Sequence, residues 1–356
     1  MPLPVTALTL GDAAGVGPEV AVKALAGRDL RDAGRWLVVG QEALLQEGMR
    51  VADRRLQYDR VRAPEDVGSL PGSIGLLEVE GVQSGSYSRG RVSAETGRAA
   101  ALALRAAMDL ATAGRVAAVV YAPLSKEALH RSGLEFVDEI HLFASWLGCA
   151  DGFSEVNLLD DLWLFRVTSH IALAEVAREI TLDAVLGRIL FAGDLLRRAG
   201  VGEPRIAVAA LNPHAGEGGL FGTEEAQQIA PAIARARALG MEVTGPYPSD
   251  TIFIRRRREA FDALLAMYHD QGQIGLKLLG FDRGVTISGG LPVTVVTPAH
   301  GTAFDIAGRG IADAGAMEQA IRTALRLGRP PVAQAQRIDH HAPFAAGRHV
   351  QREDPE

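Results

Sequence analysis

Short, unbroken runs of apolar and β-branched residues recur along this chain between Ala/Leu-rich stretches, and that alternation restricts the fold more than any other feature. The runs are VTALTL near the start, WLVVG at 36–40, VAAVVYAPL at 116–124, LWLFRVTSH at 162–170 and RIAVAAL at 205–211. A strand that is apolar at every position is covered on both faces, as in a mostly parallel sheet flanked by helices. The intervening stretches read as helices. SAETGRAAALALRAAMDLATAG has Ser93 or Thr96 to cap its start and Gly114 to end it. The stretch 183–199 is amphipathic, with Arg197 and Arg198 near its C-terminus, where cations complement the helix dipole. The pattern predicts an α/β protein. At 356 residues the chain exceeds what one growing core serves, so two lobes are expected.

Composition narrows the partners. Lys plus Arg is 37 against 43 Asp plus Glu, a net charge of -6 with no dense basic stripe, which argues against nucleic acid. The single cysteine, Cys149, supports neither an internal disulfide nor a thiolate metal cage, so a reducing, cytoplasmic location is expected. No apolar run reaches the roughly 18 residues of a membrane span, and the N-terminus lacks a basic region leading into an apolar segment. Neither membrane nor export is expected. The charge block Arg255 to Arg258 reads as a solvated helix start, and 331–356 as a loosely held tail.

Three groups of residues carry chemistry. Gly11-Asp12-Ala13-Ala14-Gly15-Val16-Gly17-Pro18-Glu19 follows a strand-like run and opens a helix; its glycines permit a tight turn and close backbone approach, and the helix start attracts anions. Its spacing is not that of the dinucleotide fingerprint, so no Rossmann site is assigned. Three histidines stand at element ends: His170 after LWLFRVTS, His214 in LNPHAGEGG and His269 in MYHDQG. Imidazole is the commonest protein metal ligand, and three leave open positions for a substrate. Any one of them alone is as well explained as a structural histidine, but His214 and His269 lie among the Gly, Asn, Asp and Gln of polar loops. Finally, Thr297 to Asp313 is a Gly-rich loop, TPAHGTAFDIAGRGIAD, able to lie flat on an adenine.

This last loop, together with the Gly-Asp turn ending in Gly-Pro-Glu, resembles the isocitrate and isopropylmalate dehydrogenase superfamily. Six ordered blocks refine the likeness: GDAAGVGPE, APLSKEAL at 122–129, LNPHAGEGGLFGTEE at 211–225, GPYPSDT at 245–251, AMYHDQGQIGLK at 266–277 and AHGTAFDIAGRG at 299–310. Over residues 5 to 325 the chain resembles the 4-hydroxythreonine-4-phosphate dehydrogenase (PdxA) family. The resemblance implies two α/β/α lobes around a central cleft. Residues 1–119 and 291–330 would form one lobe, with the cofactor loop, and 120–290 the other, with metal ligands and dimer contacts.

What the resemblance implies for the site follows residue by residue. His170, His214 and His269 match the family's metal ligands, shared across a homodimer; zinc is favoured, with cobalt, nickel, manganese or magnesium as competitors. Gly11, Asp12, Gly15, His300, Gly301, Thr302, Ala303 and Asp305 match the NAD or NADP site. Asp250 and Lys277 match catalytic positions, Lys277 also reaching the substrate. Glu139, Ile140 and His141 fall where the family has a substrate-binding His-Thr-Glu, and Thr286 and Val295 where it has an Asn and an Arg for the substrate phosphate. The implied reaction is oxidation of a secondary alcohol β to a carboxylate, then decarboxylation. The departures at Glu139, Ile140, Thr286 and Val295 imply a small-molecule substrate other than a phosphate ester, since losing Arg forfeits a bidentate partner. Alternatives are a true 4-hydroxythreonine-4-phosphate dehydrogenase of pyridoxal phosphate synthesis, an aromatic cis-dihydrodiol carboxylate dehydrogenase, or a metal- and nucleotide-binding relative without turnover. Ala13, where the family has Pro, is a milder change.

Overall fold

The computed structural model describes residues 3–82 and 86–328; the expected tail at 331–356 lies outside the described residues. Its core is one twelve-stranded sheet. The strands are β1 (Val5–Thr9), β2 (Arg35–Gly40), β3 (Asp59–Val61), β4 (Ile74–Glu78), β5 (Ala118–Tyr121), β6 (Ser154–Leu159), β7 (Leu162–Arg166), β8 (Arg205–Ala209), β9 (Glu242–Tyr247), β10 (Ala263–Ala266), β11 (Val285–Gly289) and β12 (Val295–Pro298). Their spatial order is β3-β4-β2-β1-β5-β12-β11-β6-β7-β10-β8-β9. The α/β expectation holds, and each of the five apolar runs contains a strand.

The sheet is mostly parallel, as the unbroken apolar strands required, but three joints in its middle are antiparallel: β12 with β11, β11 with β6, and β6 with β7. Strands β1 to β5 and β12 lie on one side of these joints, and β7 to β10 on the other. One face is apolar throughout. The helices Gly17–Ala26, Leu182–Arg198, Ala230–Ala238 and Gly315–Leu327 place Val20, Ile189, Ile233 and Ile321 there against Leu8, Val156, Ile206 and Ile287 of the strands.

The opposite face is apolar only toward its two ends. Helices Ala94–Thr112 and Glu139–Leu147 cover the first side through Leu104, Met108 and Phe143, while Leu276 of helix His269–Gly280 packs with Leu164 and Leu264 on the second. Between the two clusters, β6 and β11 turn polar. Val156 and Leu158 join the apolar face, so the alternate residues Glu155 and Asn157 look the other way. Thr286 is the register partner of Asn157, and Ser288 of Glu155. A hydrophilic strip thus interrupts an otherwise oily surface at the middle of the sheet.

Local signals set the helix ends. Ser93 accepts a hydrogen bond from the Thr96 amide (3.1 Å), and Gly114 stands just beyond the end with φ +68°. Thr181 caps the helix 182–198 in the same way through the Ala184 amide. The arginine block departs from expectation: the short helix Ile252–Arg255 ends there instead of beginning. Arg255 stacks over Tyr247 (4.1 Å) and Arg256 pairs with Asp161 (2.8 Å), so contacts with neighbouring side chains hold these guanidinium groups.

Candidate active site

The polar strip is the floor of a cleft of about 210 Å³. Glu155, Asn157 and Thr286 form its base; His269, Gln273, Leu276 and Lys277 of helix His269–Gly280 form a wall; His170 and Lys126 stand opposite, and Gly284 and Ala299 form the rim. The floor is hydrogen-bonded internally. Asn157 Nδ2 donates to Thr286 Oγ1 (3.1 Å) and Gln273 Nε2 donates to Asn157 Oδ1 (2.6 Å), which ties the wall to the sheet across 116 residues of sequence.

Two of the three expected ligand histidines meet at this cleft. The rings of His170 and His269 lie 5.5 Å apart between centroids. Each projects from the end of a strand: β7 leads to His170, and β10 to His269. Gln271 anchors the second turn, accepting from the Met267 amide (2.7 Å) and donating to the Ala210 carbonyl (2.8 Å). The Nδ1 atoms are held by carboxylates: His170 by Asp138 (3.0 Å), His269 by Asp270 (2.7 Å). A carboxylate on Nδ1 fixes the ring and leaves Nε2 as the nitrogen offered to a ligand.

Asp138 is the hub. It accepts from the His141 ring at 2.5 Å, from His170 at 3.0 Å and from the His141 amide at 3.1 Å, so it both caps a helix and orients two imidazoles. Burial pushes its pKa up, but the hydrogen bonds from His170 and His141 outweigh burial and hold the carboxyl well below the usual range. In return, the Asp138 hydrogen bond raises the pKa of His170. Asp138 was not singled out in the sequence as a site residue; its position just before a helix of pattern D-x-x-H was the available signal.

His214 stands apart. It is exposed, its Nδ1 bonds Glu217 (3.1 Å), and it opens a run, His214 to Gly219, in which six successive residues have positive φ between 44° and 99°. Three of them are not glycine, at a cost of about 1–2 kcal/mol each. The run is held at its base by Glu225, which accepts from the Leu211 and Asn212 amides (2.9 and 2.7 Å). Among the described residues of one chain, no group of three His, Cys, Asp or Glu could hold a metal ion. His170 and His269 fit a divalent ion by donor type and by their carboxylate supports; a third ligand does not come from the same cleft.

The remaining expected residues divide. Lys277 and Thr286 line the cleft. Glu139 borders it through an ion pair with Lys126 (3.0 Å). Burial works against the Lys126 ammonium, yet Glu139 beside it keeps its pKa above the ordinary value. His141 is half-exposed and edge-on to Phe153. Asp250 is exposed in the turn Pro248 to Thr251, away from the cleft lining. Ile140 and Val295 require correction. Both are buried (6% and 0% exposed) in the apolar cluster with Phe143 and Val119, because they occupy the core-facing positions of their helix and strand. Neither offers surface to a substrate.

Gly11 and Asp12 also differ from expectation. Both are buried; a Cβ on Gly11 would stand 2.5 Å from the Pro123 carbonyl oxygen. Gly15 lies against Thr302, and the Val16 amide donates to the Thr302 carbonyl (2.9 Å). Glu19 accepts from Lys23 and from the Ala312 amide (2.8 Å each), while Lys23 also donates to the Gly310 and Ala312 carbonyls. The glycine turn is therefore a clamp that shapes the loop at 299–312. On that loop Gly301 and Asp305 are exposed, His300, Thr302 and Ala303 half-buried, and nothing lies within 4 Å of a Cβ built on Gly301. A flat ligand has room there.

Comparison with known proteins identifies the family. Residues 32–324 match the family described as "Pyridoxal phosphate biosynthetic protein PdxA". A 4-hydroxythreonine-4-phosphate dehydrogenase from Beijerinckia indica is 41% identical over 321 residues, 90% of this chain and 94% of that one. A D-threonate 4-phosphate dehydrogenase from Cupriavidus necator is 40% identical over 326 residues, 91% and 97% of the two chains. Among solved structures, a 4-hydroxythreonine-4-phosphate dehydrogenase from Klebsiella pneumoniae superposes with a TM-score of 0.81 at 38% identity, covering 92% and 99%. With the family model, the relatives and the fold in agreement, this chain belongs to the PdxA family of dehydrogenases.

Proposed function

We propose that the protein is a homodimeric, metal-dependent dehydrogenase that uses NAD or NADP to oxidise a secondary alcohol β to a carboxylate, with decarboxylation following, on a substrate other than a phosphate ester. The observation that carries the reading is the pair His170 and His269, 5.5 Å apart and each carboxylate-supported, at the head of a cleft that also holds Lys277. A divalent ion held by His170, His269 and a partner's copy of His214 would supply Lewis acidity where negative charge develops on substrate oxygen. The loop at 299–312 would hold the nicotinamide cofactor, which would supply the oxidising power for hydride removal.

The residues of the chain do the rest. Lys277 holds the substrate's anionic group, and the bonded strip Gln273, Asn157 and Thr286 orients its polar atoms. Asp250, exposed on its own chain, serves across the dimer interface as base for the hydroxyl proton. The hydride leaves the carbinol carbon, the carboxylate carbon then departs as carbon dioxide, its bonding electrons pass toward the new carbonyl, and a proton returns to the α-carbon. Dimer formation is favoured by apolar side chains beside the site: Ile274 and Leu278 on the cleft-wall helix are 62% and 84% exposed, and Leu220 next to the His214 run is 72% exposed. The two lobes of this reading, 1–119 with 291–330 and 120–290, would meet at the antiparallel joints in the middle of the sheet.

Among the described residues lining the cleft there is no arginine to grip a phosphate dianion through two parallel hydrogen bonds. Lys126 is already paired with Glu139, and Glu155 with Arg166. The test is nicotinamide reduction by metal-loaded and chelator-stripped enzyme with 4-phosphohydroxythreonine, 4-phosphothreonate, threonate and an aromatic cis-dihydrodiol carboxylate. Metal-dependent reduction with carbon dioxide release from an unphosphorylated acid is expected. Undiminished turnover after stripping would overturn the metal assignment, and preference for a phosphate ester would overturn the substrate class.

A further inference from the structure

Under the cleft lies an ion pair to which the chemistry above gives no part. Arg166 ends β7 with a side chain only 1% exposed, and its Nη2 donates to the Oε1 of Glu155 (3.1 Å) and to the Glu155 carbonyl (3.3 Å). The strand register sets them side by side, since Asn157 opposite Leu164 brings Glu155 opposite Arg166. The Nε and Nη1 groups of Arg166 are buried without a hydrogen-bond partner. Nearby, Arg188 of helix Leu182–Arg198 has its pKa lowered to about 10 by burial and by the charge of Arg166. A guanidinium buried with two idle donors and a second cation near it is poor stabilising design, and an apolar side chain would serve the core better.

What Arg166 achieves is the placement of Glu155. That carboxylate lines the cleft, with 24% of its side chain exposed, and its charge is felt by His170 and Lys126. One oxygen is taken by Arg166 from behind; the cleft side of the group is a fixed hydrogen-bond acceptor. Given the proposed oxidative decarboxylation, we infer that Glu155, pinned by Arg166, is a specificity-determining residue that accepts a hydrogen bond from a hydroxyl or ammonium group of the substrate, selecting an unphosphorylated hydroxy acid over its phosphate ester. An ionised carboxylate offers only acceptor lone pairs, so it gains from a hydroxyl or ammonium donor and gives a phosphate dianion no hydrogen bond; a site built to hydrogen-bond a substrate group discriminates strongly against an analogue that cannot respond.

The experiment compares wild type, Glu155→Gln, Glu155→Asp and Arg166→Met, all metal-loaded, with threonate, 4-hydroxythreonine and 4-phosphothreonate. Steady-state kinetics is paired with calorimetric binding of each acid. In wild type, an unphosphorylated acid is expected to bind more tightly than 4-phosphothreonate. Glu155→Gln should raise its KM about tenfold with kcat within about twofold, and should improve binding of the phosphate ester. Arg166→Met should move both in the same direction, and Glu155→Asp should restore part of the preference. Threonate and 4-hydroxythreonine separate a hydroxyl from an ammonium as the recognised donor, and loss of either preference in Glu155→Gln supports the inference. Unchanged selectivity in Glu155→Gln, tighter wild-type binding of the phosphate ester, or no binding of any of the acids would overturn it. Glu155-dependent binding without nicotinamide reduction would instead overturn the proposed reaction and leave the role of Glu155 standing.

Discussion

The cleft and the glycine clamp use the same kinds of residue to opposite ends. In the clamp, polar groups find partners within the protein: Glu19 Oε1 takes Lys23 and the Ala312 amide, and Lys23 takes two carbonyls of the facing loop, while Glu19 Oε2 and Asp12 Oδ2 are buried without a hydrogen-bond partner among the described residues. In the cleft, two groups are held from one side. Asp138 holds His170 from behind, Arg166 holds Glu155 from behind, and the other side of each is turned to the space where a ligand would sit. The contrast separates a motif that builds a site from one that acts in it. Gly11, Asp12 and Gly15 are packed against neighbouring backbone and side chains, whereas His170, His269, Glu155 and Lys277 line the cleft.

The sharpest way to break this division is to remove a presenting group. His269→Ala should lower metal-dependent turnover by about 10³-fold or more while the thermal midpoint moves by no more than about 2 °C. A comparable loss of stability would place His269 with the shaping residues. Conversely, Glu19→Gln removes the carboxylate that joins Lys23 to the Ala312 amide, and should cost about 3 kcal/mol in denaturant unfolding with a weakened nicotinamide affinity. Unchanged unfolding would show that the clamp is held elsewhere.

Smaller effects sharpen the comparison. Asp138→Asn keeps the shape of the hub but not its charge, and metal affinity measured by calorimetry should fall about 10- to 100-fold. Gly15→Ala sets a Cβ 2.9 Å from the Thr302 Cβ and carbonyl oxygen, so the loop must give way, at about 1–3 kcal/mol. The smallest effect concerns pH. Burial raises the pKa of Asp12, against the opposing hydrogen bonds from the Ala14 amide and Thr96. Because its folded pKa is the higher one, its contribution to stability is full below the unfolded value and is lost as pH rises through the folded value. Asp12→Asn should flatten that fall, read as unfolding free energy against pH; an unchanged slope would remove Asp12 as its source.

Much of the frame was legible. Strands β1, β2, β5, β7 and β8 are apolar at nearly every position and read as covered on both faces, and Ser93 marked a helix start that it does cap. Strands β6 and β11 escaped because they are apolar on one face only: Ser-Glu-Val-Asn-Leu-Leu and Val-Thr-Ile-Ser-Gly alternate, and their polar halves face the cleft. That alternation was the signal of a half-open strand in the middle of a buried sheet. The histidines are legible as residues of polar loops, but Ile140 and Val295, expected at the substrate, have side chains buried in the apolar core. Position in an aligned block does not say which way a side chain turns; helix and strand periodicity does.

By itself the sequence determined the α/β class, the ends of the helices Ala94–Thr112 and Leu182–Arg198, and the family, because these rest on periodicity, caps and ordered motifs that are local along the chain. Only the tertiary structure decided that His170 and His269 meet while His214 stands apart, that the glycine turn clamps a loop almost three hundred residues away, as Glu19 does with Ala312 at a separation of 293, and that Arg166 lies behind Glu155. These depend on strand order and on which face of a strand is covered. Neither is written in any short stretch of residues, since both arise when the antiparallel joints bring β6 and β11 together and leave their polar faces between two apolar clusters.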